Sequence, residues 1–346
     1  MSTASTATAT RAVEAPARAS WLRRLATSRA LGIFLALALV VIATTVRNPA
    51  FVFSPDGFRD LLLTPSILVV VAVGQAVVII SRNVDLSVGS ILGLSAYLTG
   101  TLFTTTELPM VVVMLAGVAL GALLGLVNGA LVAFGRVPAM VITLGTLYAF
   151  RGINVAWTGS NRINASDLPP EFLGLGTQAI FSIPVLTIIA LVVLAAVAWY
   201  LSNTRAGREF YAIGSAPEAA ELYGLASRRR VLVAFVLCGT LSGLGGVLYA
   251  ARYGTVNSQA GLGFELQAIG AAVIGGVAIV GGVGTVLGAA IGAYLLLTIA
   301  RALPVLGIPD FWQQALVGAL IIGAIVLDRV LARRQSKRLL TERSAV

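Results

Sequence analysis

Apolar stretches of membrane-spanning length alternate with short polar breaks along most of the 346-residue chain. Crossing the hydrocarbon core of a bilayer takes roughly 20 consecutive, mostly apolar helical residues. By that measure the pattern predicts about ten spans, at 30–46, 62–81, 88–106, 110–133, 139–157, 183–201, 231–251, 265–282, 285–303 and 311–330. The expected fold is therefore an all-α, polytopic integral membrane protein. Glycines almost fuse the pair 265–303, and 139–157 carries Arg151 and Asn154, so these are the spans most open to breaks. Residues 1–29 form a basic segment read as disordered, 30–330 the transmembrane domain, and 331–346 a basic tail.

The polar break at 81–90 reads Ser-Arg-Asn-Val-Asp-Leu-Ser-Val-Gly-Ser and holds Asp85, one of 14 acids in the chain. Polar backbone between two spans must be a tight connection or be shielded by protein. A helix over 62–81 is about 30 Å long and already crosses the bilayer. That places Arg82, Asn83, Asp85, Ser87 and Gly89 at an inner hinge on the cytoplasmic boundary. Asp85 is then set to cap the next helix through the N–H groups of Ser87 and Val88, or to pair with Arg82. A role in an inner gate and direct substrate contact are the alternatives. The sequence 88–93 (Val-Gly-Ser-Ile-Leu-Gly) resembles 283–288 (Val-Gly-Thr-Val-Leu-Gly), which hints at a parallel repeat. Gly117, Gly121, Gly125 and Gly129, like Gly284, Gly288 and Gly292, recur at four-residue steps. Such stripes let helix backbones approach closely, either as fixed packing or as a sliding surface.

Composition agrees with a membrane protein: 58% of residues are hydrophobic and 11% charged, against about 25% charged in soluble domains. The net charge of +10 is not a nucleic-acid signature, because the arginines flank the spans as the positive-inside bias requires. Arg82, Arg136, Arg205, Arg208, Arg228, Arg229, Arg230 and the tail Arg333 to Arg343 fall on one side. Both termini are then cytoplasmic, the number of spans is even, and the first span is an uncleaved helix rather than a signal peptide. With no histidine and a lone Cys238, His-based triads, His-ligated metals and intrachain disulfides are excluded. Lys337 is the only lysine and has no Gly-x-x-x-x-Gly-Lys context, so ATP-driven work would need another chain to bind ATP.

Two connections are long. The outer one, 158–182, holds Pro169 and Pro170 among Asn and Asp residues and reads as an ordered, turn-rich loop. It is either a linker or a docking surface for an extracytoplasmic partner. The inner one, 202–230, contains Ser215 and Glu218 at capping-box spacing, Pro217 in a first turn and Gly224 at a stop. It predicts a two-turn helix over 216–223 that needs something to pack against.

Here the chain resembles a known family. Thr204-Arg205-Ala206-Gly207-Arg208, then Ala212-Ile213-Gly214, then Pro217, Glu218, Ala219, Ala220, Glu221 and Gly224, resemble the ATPase-coupling loop of ribose/xylose-type sugar ABC importer permeases. That family is related to the branched-chain amino acid permeases. The run 83–90 is similar to its Ile-Asp-Leu-Ser-Val-Gly signature, and 275–288 to its glycine-rich late segment. The usual Gly-Gly before Ile-Asp-Leu-Ser is replaced by Arg82-Asn83, a variant similar to the rhamnose and autoinducer-2 branches. The resemblance implies a multi-pass permease of the bacterial plasma membrane, without catalytic residues, metal or cofactor of its own. ATP and Mg would sit on a cytoplasmic ABC ATPase docked at 202–230. A second permease copy or a sister permease would complete the path, and an extracytoplasmic sugar-binding protein would deliver the sugar. The implied cargo is a monosaccharide such as rhamnose, with autoinducer-2 or an amino acid as alternatives. A neutral sugar needs hydroxyl, amide and aromatic partners, and the spans offer Asn128, Thr143, Thr146, Tyr148, Asn154, Trp157 and Gln267. An ion-coupled transporter would need buried ionisable residues, for which Asp85 and Glu265 are the candidates. A membrane-embedded transferase would need an acid/base cluster that the sequence lacks.

Overall fold

The structure, a computed structural model, describes residues 29–309 except 136, together with 312, 315, 318, 319, 322, 323 and 326. The expected disordered segment before residue 29, most of the expected span 311–330, Arg136 and the basic tail lie outside the described residues.

Apolar sequence folds as expected into helices, whose backbone groups are satisfied without water. In order these are α1 (Arg29–Arg47), α2 (Ala50–Phe53), α3 (Pro55–Leu63), α4 (Ser66–Ile80), α5 (Val88–Thr105), α6 (Met110–Gly135) and α7 (Ala139–Thr158). After a 3-10 turn at Ala165–Asp167 come α8 (Pro170–Thr177) and the hairpin β1 (Ala179–Ile180) and β2 (Ile183–Pro184). Then follow α9 (Val185–Asn203), α10 (Arg205–Ser215), α11 (Pro217–Leu222), α12 (Ser227–Tyr253), α13 (Phe264–Ile274) and α14 (Val286–Val305). Seven runs among the described residues are long and apolar enough to cross a membrane, α3 and α4 counting as one run over Pro55–Ile80. Two shorter apolar helices, Leu31–Arg47 and Phe264–Ile274, complete the set.

Every residue of α4 is buried, as its apolar circumference requires. It is ringed by α9, α10, α12, α13 and α14. By contrast α6, α7 and α9 are largely exposed on their outer faces. The stripe Gly117, Gly121, Gly125 and Gly129 on α6 faces Gly239 and Gly243 on α12. A Cβ on Gly121 would fall on the Gly239 carbonyl oxygen, and a Cβ on Gly239 on the Gly121 carbonyl oxygen. The stripe is thus interlocked backbone packing. Gly284 does not belong to its expected stripe, since it precedes α14.

Two expectations about connections need correction. The span 265–282 is a helix only over α13, about 16 Å long, because Gly275 and Gly276 end it and Gly281, Gly282 and Gly284 hold a left-handed or extended loop with positive φ. The capping box at Ser215 does not form. Ser215 closes a helix of its own, α10, and its hydroxyl donates to the Tyr211 carbonyl at 2.8 Å. The short helix that follows starts at Pro217 without a side-chain cap. The connection 158–182 is ordered, as its turn residues suggest, and holds a 3-10 turn, α8 and the hairpin. Phe172 of α8 is fully buried and meets Phe103 of α5 at a ring distance of 4.7 Å.

Candidate functional site

Helix α4 ends in a Schellman motif: Arg82 N–H donates to the Ile79 carbonyl at 2.8 Å and Asn83 N–H to the Val78 carbonyl at 3.0 Å. The same closure ends α11 at Gly224, α13 at Gly276 and α14 at Gly307, each with positive φ. Arg82, φ 66°, fills the position that glycine takes in the other three. After this turn the chain does not leave along the membrane face. It folds back beside α4, so that the Gln75 side-chain amide donates to the Asp85 carbonyl at 3.1 Å and accepts from the Asp85 N–H at 3.2 Å. Gln75 lies about 7 Å short of the end of α4. Thr143 of α7 donates to the Val84 carbonyl at 3.2 Å, and Asn128 of α6 to Ser87 Oγ at 2.7 Å.

The expected rim position of Asp85 is therefore corrected. Arg82 is exposed, but Asp85 is fully buried with its backbone beside Gln75, short of the end of α4. The length measure failed because it assumed that the chain exits where the helix stops. One Asp85 oxygen accepts from Ser87 N–H at 2.8 Å and from Ser87 Oγ at 2.7 Å. This holds the segment just before α5, with Ser87 at the N-cap. Val88 takes no part, and among the described residues Asp85 forms no ion pair with Arg82.

A second segment enters from the opposite side. Beyond α12 the chain pairs Val256 with Ile163, which packs on Gly100 of α5. It then descends along α5 until Ala260 meets Gly93 and Gly261 meets Gly89. Helix α13 starts there, deep in the bundle. Arg151 of α7 donates to the Ala260 carbonyl at 2.7 Å, and Asn154 to the Ser258 carbonyl at 3.2 Å. Glu265 accepts from Gly263 N–H at 3.2 Å. Two stretches of irregular backbone thus lie inside the bundle, one leading into α5 and one packed along it, a feature tolerated at membrane depth where protein shields it or where it lines a path.

The expected path residues divide accordingly. Asn128 and Thr143 tie the first broken segment, and Asn154 ties the second. The Thr146 hydroxyl turns back to the Thr143 carbonyl of its own helix at 3.3 Å. Tyr148 is 69% exposed, Trp157 stacks edge-on against Tyr97 at 5.2 Å, and Gln267 is half-buried on α13.

The connection between α9 and α12 bears directly on the first break and on the glycine loop after α13. Thr204 caps α10 by accepting from Gly207 N–H at 2.9 Å, while Gly207 packs on the α9 backbone at Tyr200 and Leu201. A Cβ on Gly214 would strike the Ile80 carbonyl and the Gly282 nitrogen. Gly282 N–H itself donates to Ile80 at 2.9 Å, and Tyr211 OH to the Gly284 carbonyl at 3.2 Å. Gly281 lies against Arg82. Thus α10, the end of α4 and the glycine loop form one backbone junction. Glu209 pins α10 to α12 by accepting from Arg230 at 2.5 Å, and also accepts from Arg205 of its own helix at 3.0 Å. The Arg230 hydrogen bond holds its carboxyl below the usual range. Arg205, Arg208, Glu218, Glu221 and Gly224 are exposed, Ala219 and Pro217 half-buried, and Ala220 buried. Leu222 and Tyr223 are 89% and 87% exposed at the tip. A cleft of about 780 Å³ opens beside them, lined by Arg82, Asn83, Pro217, Glu221 and Arg228 among others. Sequence reasoning missed α10 itself. Its strongly one-sided apolar face (Phe210, Ile213) was the available signal.

A polytopic helical bundle with broken segments inside it and a helical connection between α9 and α12 suits a transport permease. The chain belongs to the family described as branched-chain amino acid transport system / permease component, whose model matches residues 58–325. It is a multi-pass permease subunit of a bacterial ABC importer. It is similar to the autoinducer 2 import system permease protein LsrC of Klebsiella pneumoniae subsp. pneumoniae, 36% identical over 91% of this chain and 91% of that protein. The LsrC proteins of Enterobacter sp. (strain 638) and Shigella flexneri are 37% and 38% identical. Their matches cover 89% and 76% of this chain, and 88% and 76% of those proteins. No solved structure matches the chain.

Proposed function

We propose that this permease imports autoinducer-2, in preference to rhamnose or another monosaccharide. The observation that carries this reading is similarity to autoinducer-2 import permeases over nine-tenths of the chain, broken segments and cytoplasmic helices included. The cargo would arrive on an extracytoplasmic binding protein and cross between this chain and a second permease. A cytoplasmic ATPase would seat on α10 and α11, with Leu222 and Tyr223 as its apolar anchors. The junction of Gly214 with Ile80 and Gly282 supports a direct mechanical route, because a push on α10 meets backbone at the end of α4, where the first broken segment starts, and at the glycine loop after α13. ATP turnover would favour different conformations only if the ATPase contacts them differently.

The test is uptake of labelled autoinducer-2 by proteoliposomes holding the permease, its ATPase and its binding protein, with rhamnose and ribose as competitors. ATP- and binding-protein-dependent uptake of autoinducer-2, resistant to competition by the sugars, is expected. Uptake that outlasts ATP but collapses with the ion gradient would sink the importer reading. Reversal of charge at Glu218 and Glu221, or Gly207→Pro, should abolish uptake with the protein still inserted. Normal transport by those variants would refute the docking assignment.

A further inference from the structure

Arg151 and Glu265 are opposite charges on two elements inside the membrane. Arg151 stands about 18 Å along α7 from its first residue, well within a hydrocarbon core of about 30 Å. Glu265 sits in the first turn of α13, which begins level with Gly89. Charged residues at such depth are costly and mark function more often than packing. The two are within electrostatic reach, yet no N···O contact within 4.0 Å joins them. Each keeps an unused group: Arg151 Nε and Glu265 Oε2 have no hydrogen-bond partner. Asn154 is fully buried, and its Oδ1 is likewise unpartnered. A pair built only for stability would close into a bidentate ion pair, the strongest arrangement available to it.

We propose that Arg151, Glu265 and Asn154 form a hydroxyl-reading station for the transported molecule. The set offers guanidinium donors, a carboxylate acceptor and an amide acceptor, with no net charge. That combination suits a neutral, polyhydroxylated solute, whose hydroxyls both donate and accept. It also suits passage through a membrane, since no ion has to be stripped of water with the cargo. Gln259, exposed on the descending segment, and Gln267, half-buried on α13, extend the same amide chemistry. Because Arg151 and Asn154 already hold the carbonyls of Ala260 and Ser258, a solute that recruits their free groups acts on the segment that enters from outside. Recognition and movement of that segment are thus joined in three side chains.

The inference rests on the proposed function, and the experiment separates the two. In the first arm, wild-type proteoliposomes with ATPase and binding protein are given autoinducer-2, L-rhamnose and D-ribose. Absence of ATP-dependent uptake of all three overturns the reading of the cargo. In the second arm, the probe that is carried is compared with its monodeoxy analogues, each loaded to saturation on the binding protein. Wild type should carry at least one analogue about tenfold more slowly, the weight of one hydrogen bond to a charged group. In Glu265→Gln and Arg151→Lys that ratio should collapse towards one. A purely structural pair would slow parent and analogue alike and leave the ratio intact, which would overturn the station while the importer stands. A wild type that carries every analogue at the parent rate would overturn it as well. Asn154→Ser, a smaller change, supplies the same comparison where a charged-site variant fails to insert.

Discussion

Arg82 shows how one side chain can be read once its backbone is known. It occupies the left-handed position of a helix closure that Gly224, Gly276 and Gly307 fill elsewhere in the same chain. A non-glycine residue there carries about 1–2 kcal/mol of strain, partly offset by the roughly 0.5–1 kcal/mol of chain entropy that a glycine would lose. Arg82→Gly should therefore stabilise the detergent-solubilised protein by up to about 1 kcal/mol, seen as a higher unfolding temperature. An unchanged or lower temperature would show that Arg82 makes up its strain through contacts at the cleft. The departure from Gly-Gly was visible in the sequence. Its structural meaning was not, because composition does not report the sign of φ.

At the scale of elements, α10 is the piece that hydropathy could not deliver. Residues 205–215 contain two glycines and three charges, and their helix exists because Phe210 and Ile213 are buried and Glu209 is tied to Arg230. The opposite error occurred at 275–285, where apolar composition continues although the helix has stopped. Asp85 was misplaced for a related reason, since nothing local signals that a chain turns back into the bundle.

The Glu209 tie makes a pH prediction. Its folded carboxyl is held below the unfolded value by Arg230. Its stabilising contribution is therefore present above the ordinary glutamate pKa of about 4.3 and is lost as pH falls through the depressed folded value. Thermal stability of wild type should exceed that of Glu209→Gln at neutral pH, and the gap should narrow below about pH 4. A gap that is constant with pH would contradict this assignment. Gly214→Val addresses the same element from its other face. The added side chain would collide with the Ile80 carbonyl and should cost about 1–3 kcal/mol of stability, with uptake reduced more than ATPase binding in a pull-down.

For the molecule as a whole, the class, the membrane setting and most of the spans were legible, because about 20 apolar residues in a row have few other uses. The depth of the functional groups was not, since it depends on two segments that enter from opposite sides. The reciprocal seating of Gly121 and Gly239, each under the other's carbonyl, carries a mechanical consequence. Helices keyed together in this way cannot shift by a residue without driving a side chain into backbone, so α6 and α12 form one rigid body. The displacement that opens first one side and then the other has to be taken up elsewhere, at the joints of α7, α10, α13 and the glycine loop. Spin labels on α6 and α12 should keep a single separation through the ATP cycle, while a label on α10 moves against both.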